Sequence, residues 1–187
     1  LPGRFFHNGG EREIAVKLED SVKMTVGGLT LDPVTKAPIV LLRDDGNKFS
    51  LPIWVGLLEA TAMATAIEGV PMPRPMTHDL LTNLLAELGA EVDCVEITAL
   101  RENTYYALIH LRVGTEIREI DARPSDAIAL ALRTGSTIYV ARAVIESSSV
   151  LRSDEEGGGD AGLAHVSPDK WSEILAKMDP EDFKYKM

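Results

Sequence analysis

The side chains able to grip or hydrolyse a phosphate ester gather at three junctions between elements. Arg74-Pro75-Met76-Thr77-His78-Asp79 sets a guanidinium and a His-Asp pair at a helix start, where free backbone N–H groups favour anions. Asp121-Ala122-Arg123-Pro124-Ser125-Asp126 sets two carboxylates around an arginine where a strand gives way to a helix. Glu59 is the charged exception in an otherwise apolar helical run. Phosphodiester hydrolysis needs oxygens to hold a cation, a cationic clamp for the phosphate and a group that moves a proton. Glu59, Asp79, Asp121 and Asp126 are candidate ligands for Mg2+ or Mn2+, Arg74 and Arg123 are candidate phosphate clamps, and His78 is the candidate proton-transfer group.

Each of these residues also has a plainer role. Thr77 is expected to cap its helix, and Asp79 to complement the helix dipole. Arg123 and Asp126 suit an ion pair across a helix start. A carboxylate at Glu59 must meet a cation, a metal or water, because an unpartnered buried charge is costly; Arg74 and Arg123 are the structural partners. Spacing alone leaves both sets of roles open. His110 lies in an alternating strand pattern and reads as a packed residue. Cys94, the single cysteine, lies in an apolar run and reads as a reduced core thiol, which sets aside a disulfide, a multi-cysteine zinc site and cysteine catalysis. The chain carries no phosphate-binding glycine loop, dinucleotide glycine pattern, Gly-x-Ser-x-Gly elbow or His-Glu-x-x-His.

The elements that must position these groups follow from periodicity and turn chemistry. Residues 22–31, 38–43 and 47–55 read as a meander of strands broken by Asp-Pro-Val-Thr-Lys and by Asp44-Asp45-Gly46. Gly56 to Glu68 reads as a helix apolar nearly all round, expected to be buried between layers. Val70 to Pro75, with three prolines, cannot be regular. A second helix follows, with Leu81, Leu84, Leu85 and Leu88 on one apolar face ending at Gly89. Strands are expected at 91–99, 104–113 and 116–122, then a helix DAIALALR stopped near Gly135, then TIYVARAV as a last strand. This order predicts an α+β fold: a single domain with a mixed, largely antiparallel sheet and packed helices.

The 187 residues, 45% hydrophobic, suffice for one domain with appendages. Residues 1–21 are set aside as an N-terminal extension and 22–146 form the body. Residues 147–166, rich in Ser, Asp, Glu and Gly, read as a flexible acidic linker. In 167–187 Trp171, Ile174, Leu175 and Met178 make the stripe of a short C-terminal helix suited to docking. No segment has the roughly 18 apolar residues of a membrane span, and no signal-peptide core is present, so the chain reads as soluble and cytoplasmic. Its net charge is −10, with 29 acidic and 19 basic residues, a field that opposes a polyanion unless local arginines or cations reverse it.

LTLDPVTKAPIVLL, LPIWVGLLEATAMATAIEGV, PRPMTHDLLTNLLAELGAEV, TYYALIHL and EIDARPSDAIALALR, in this order and spacing, resemble the bifunctional nuclease family over about residues 24–146. The resemblance implies an α+β fold with a mixed sheet, self-association, and cleavage of RNA and DNA as in plant members. The tail KWSEILAKMDPEDFKYKM does not resemble the repair-protein-like motif that follows the domain in those members. The leading expectation is a divalent-metal-dependent nuclease acting on RNA or DNA. The alternative is a non-catalytic oligomeric scaffold or regulatory module binding a small anion or a partner protein. Homo-oligomers are expected under either reading.

Overall fold

The computed structural model describes residues 18, 20–148 and 151–152. The chain runs β1 (Ser21–Leu31), β2 (Pro38–Asp44), β3 (Phe49–Trp54), α1 (Leu57–Ile67), α2 (Thr77–Glu87), β4 (Ala90–Arg101), β5 (Thr104–Val113), β6 (Glu116–Ala122), α3 (Pro124–Thr134), β7 (Thr137–Ala141), α4 (Arg142–Ser147) and β8 (Leu151–Arg152). The strands form one sheet in the order β6-β5-β4-β7-β1-β2-β3-β8. Every neighbouring pair is antiparallel except β4 with β7. This is the mixed, mostly antiparallel α+β domain expected from the sequence.

Local chemistry sets the hairpins. The Asp32 carboxylate accepts the backbone N–H groups of Val34 at 3.0 Å and Thr35 at 2.8 Å, and Asp44 accepts those of Gly46 and Phe49, as turn aspartates do. The parallel β4–β7 pair requires a crossover, which α3 supplies after the edge strand β6. Gly135, at φ 68°, closes α3 in the left-handed conformation. Crossing the sheet buries Ala127, Ile128, Ala129, Leu130 and Ala131 of α3 against Val95, Ile97, Ile138 and Val140. Ala60 and Met63 of α1 join the same core; the small alanines let the two helices approach closely.

Three sequence expectations change. The segment read as a single strand through Val144 ends at Ala141 and continues as α4. Val144 and Ile145 are consecutive and both buried, which a strand open on one side cannot achieve, so packing overrides their β propensity. The leucine face of α2 is largely outside the core: Leu85 packs against it, whereas Leu80, Leu81, Leu84 and Leu88 are 52, 39, 51 and 77% exposed. Within the stretch read as a linker, Leu151–Arg152 pairs with β3. The C-terminal helix expected in 167–187 lies outside the described residues. Among the described residues no helix is long and apolar enough to cross a membrane.

On the sheet's other face the Glu96 carboxylate accepts the Ser21 hydroxyl at 2.6 Å, and the wholly buried His110 ring lies 3.5 Å from it. Cys94, opposite His110 on β4, is also buried, and burial, reinforced by the Glu96 charge, pushes its thiol up to about 11. It is an inert core thiol. The His110 contact, with the Ser21 hydroxyl adding to it against the effect of burial, holds the Glu96 carboxyl below the ordinary glutamate value of 4.5. A carboxyl lowered in the folded state stabilises fully above its unfolded value, and that contribution fades as pH falls through the folded value. Glu96→Gln is therefore expected to cost about 1–3 kcal/mol in urea unfolding near neutral pH. The gap to the parent chain should narrow as pH falls below the ordinary glutamate value of 4.5; a gap that stays constant across the acid range would show that the charge of Glu96 contributes nothing.

Candidate active site

Each of the three long helices carries a carboxylate in its first turn: Glu59, Asp79 and Asp126. Such placement is favoured by the helix dipole, yet partly buried carboxylates also need hydrogen-bond donors. Arg123 supplies them at one end of α3. Pro124 at the first helical position holds Arg123 in an extended conformation as the N-cap. From there its Nε donates to Asp126 Oδ2 at 2.7 Å and its Nη2 to Asp126 Oδ1 at 3.1 Å, a bidentate pair. Its Nη1 lies 2.9 Å from Glu59 Oε1.

His78 completes this cluster from α2, with Nε2 3.3 Å from Asp126 Oδ1. Burial raises the Asp126 carboxyl, but Arg123 and then His78 outweigh it and hold the group below the ordinary aspartate range. The His78 and Glu59 side chains are 12 and 13% exposed, whereas that of Arg123 is 57% exposed. The cluster therefore presents its guanidinium to solvent and keeps the acid and imidazole behind it. Gly56 is part of this arrangement. A Cβ there would fall 2.2 Å from Glu59 Oε2, so glycine leaves the space that the folded-back carboxylate occupies.

Asp79 and Arg74 belong to a second place. Asp79 Oδ1 accepts from Arg133 Nε and Oδ2 from the Met76 N–H at 2.9 Å, which lowers its carboxyl, the Arg133 contact most of all. Met76, not Thr77, is thus the N-cap of α2. Arg133 also donates from Nη1 to the Ala129 carbonyl at 3.0 Å and is 9% exposed. Arg74, Asp79 and Arg133 line a cavity of about 320 Å3 between the end of α1, the proline-rich loop and α2. Asp121 stands on the exposed edge strand β6 opposite Leu108, with no ion pair among the described residues.

The sequence candidates therefore sort into Glu59, His78, Arg123 and Asp126 on one side, and Arg74 and Asp79 on the other, with Asp121 outside both. Among the described residues no three His, Cys, Asp or Glu side chains form a group able to hold a metal ion. Guanidinium and backbone N–H groups already occupy the carboxylates of Glu59, Asp79 and Asp126. The described residues do not fit a resident Mg2+ or Mn2+. Sequence reasoning passed over Gly56, Asn83 and Arg133. For Arg133 the signal was an arginine closing the apolar AIALAL run.

Residues 40–153 match the family model of the bifunctional nuclease domain. An uncharacterized protein of Mycobacterium tuberculosis is 39% identical over 165 residues, covering 87% of this chain and 98% of its own length. Bifunctional nuclease 1 of Arabidopsis thaliana is 32% identical over 117 residues, covering 61% of this chain but 36% of the plant protein. Bifunctional nuclease 2 of Oryza sativa subsp. japonica is 33% identical over 117 residues, 60% of this chain and 36% of its own. With the matched region taking in β2 through β8 and both clusters of polar side chains, this chain belongs to the bifunctional nuclease domain family.

Proposed function

We propose that this chain hydrolyses phosphodiester bonds of RNA or DNA at the cluster of His78, Asp126, Arg123 and Glu59. The reading is supported above all by the 3.3 Å contact of His78 Nε2 with an Asp126 carboxylate that Arg123 braces. A carboxylate on one ring nitrogen fixes the tautomer and orientation of the imidazole and leaves Nδ1 to take a proton from an attacking water. The exposed Arg123 guanidinium meets the negative charge that grows on the phosphoryl oxygens as the bond to the leaving oxygen breaks. The proton held on His78 passes to that oxygen. Arg74 grips a neighbouring phosphate. Mg2+ or Mn2+ enters only as a counterion carried in by the substrate phosphates, a mode in which Mg2+ keeps most of its water.

Purified protein assayed on single-stranded RNA and DNA in Mg2+, Mn2+ or EDTA tests this. His78→Ala is expected to lower cleavage by about 10²–10⁴-fold. Gly56→Ala, which displaces Glu59 from Arg123 without removing a charge, should lower it by about ten- to hundredfold. Equal cleavage by the parent chain, His78→Ala and Asp126→Ala would assign the activity to a contaminant. That outcome would select the second reading, a non-catalytic module, which the occupied carboxylates of Glu59 and Asp126 favour.

We also propose that two copies associate through α2, none of whose residues is fully buried in its own fold. Leu80, Leu81, Leu84 and Leu88 repeat on one stripe, and a twofold pairing of such stripes covers both at once. Sedimentation at micromolar concentration should show a species of twice the 20.3 kDa chain mass, reverting to the monomer in Leu84→Lys/Leu88→Lys. A monomer in the parent chain would refute the association.

A further inference from the structure

We infer that the cavity beside α2 is a binding site for a nucleoside monophosphate, a phosphate monoester that carries a sugar and a base. The assignment rests on the cavity's own donors and not on hydrolysis at His78. Its walls include Ala66, Val70, Met72, Arg74, Asn83 and Arg133, and its volume of about 320 Å3 falls within the roughly 300–1,000 Å3 of small-molecule sites.

Counting donors and acceptors identifies the ligand's charge. The guanidinium of Arg74 and the amide of Asn83 make no ion pair or side-chain hydrogen bond among the described residues. Arg133 uses Nε on Asp79 and Nη1 on the Ala129 carbonyl, and its Nη2 has no partner there. The carboxylate in the wall, Asp79, has both oxygens engaged, by Arg133 and by the Met76 N–H. Two guanidiniums face one carboxylate, so the cavity carries local positive charge in a chain of net charge −10. Unspent donors with every carboxylate oxygen taken call for an anion with several acceptor oxygens, which a phosphate monoester supplies.

The apolar part of the wall identifies what the phosphate carries. A bare anion gains nothing from Ala66, Val70 and Met72, whereas the flat face of a nucleobase is matched by small aliphatic groups and a polarisable thioether. Asn83 offers an amide that can donate and accept on a base edge, the pairing asparagine makes with adenine. Arg133, 9% exposed and tied on two sides, is already ordered before the ligand arrives, which lowers the entropy cost of binding.

Isothermal titration of the full chain with adenosine 5′-monophosphate, adenosine and inorganic phosphate tests the assignment. The nucleotide should bind at least about tenfold more tightly than either fragment, and salt should weaken it. Arg74→Ala and Asn83→Ala, both on exposed positions, should each weaken the nucleotide by about tenfold or more. Arg118→Ala on β6 should leave it unchanged, with circular dichroism confirming the fold of every variant. No nucleotide binding at about 10 mM, or binding unaltered by both substitutions, would overturn the proposal. Inorganic phosphate binding as tightly as the nucleotide would overturn the nucleoside assignment.

Discussion

The arrangement of the polar half of this molecule depends on the two ends of α3. The helix is the crossover that carries the chain from the edge strand β6 to β7 in the middle of the sheet, so its position is fixed by strand pairing and by the apolar side chains it buries. Arg123 sits at its start and Arg133 in its last turn. Between them these two guanidiniums neutralise the first-turn carboxylates of all three long helices, Glu59, Asp79 and Asp126. A charge brought out of water has to be compensated where it lies, and here the compensation ties α1 to one end of α3 and α2 to the other. Core burial places α3; α3 then holds every candidate functional group except Asp121 and Arg74.

Much of this could be read before folding was considered. Alternation, turn aspartates and glycine stops located the first seven strands and the three long helices, because each is a local signal. The α4 helix could not be read, because Val144 and Ile145 favour a strand until tertiary contacts offer both side chains burial at once. The exposed leucines of α2 defeated periodicity in a different way: an apolar stripe records that a face avoids water, not what it packs against. The same limit holds at the site. Residue types identified Glu59, His78, Arg123 and Asp126, yet the separation of Arg74 and Asp79 from them follows from where Arg133 emerges. Arg133 is 54 positions from Asp79 in the chain. In sequence Gly56 marks a helix boundary, and its second role, as space for a carboxylate, exists only once Glu59 folds back over it.

Charge separates the two groups of polar residues more sharply than distance does. Around Arg123 the carboxylates of Glu59 and Asp126 outnumber the guanidinium, and an incoming phosphate meets net repulsion beyond the exposed edge of Arg123. Around Arg133 the balance is reversed, with Arg74 and Arg133 against Asp79. Electrostatic attraction in an acidic protein is local. The proposed phosphate binding therefore falls to the cavity, and the proposed proton transfer to the cluster around His78.

His78 and Asp79 are consecutive residues of one helical turn, so a single element serves both places. Under the proposed function, a strand whose phosphate is held at the cavity would place its neighbouring unit at His78, the residue next to Asp79 in the chain. Phosphate contacts of this kind position a strand without reading its bases. In the proposed arrangement the two guanidiniums hold a phosphate flanking the reacting bond, and Asn83 beside them sets any preference for the base it carries. That arrangement suits the proposed cleavage of RNA or DNA, because the backbone phosphate is common to both.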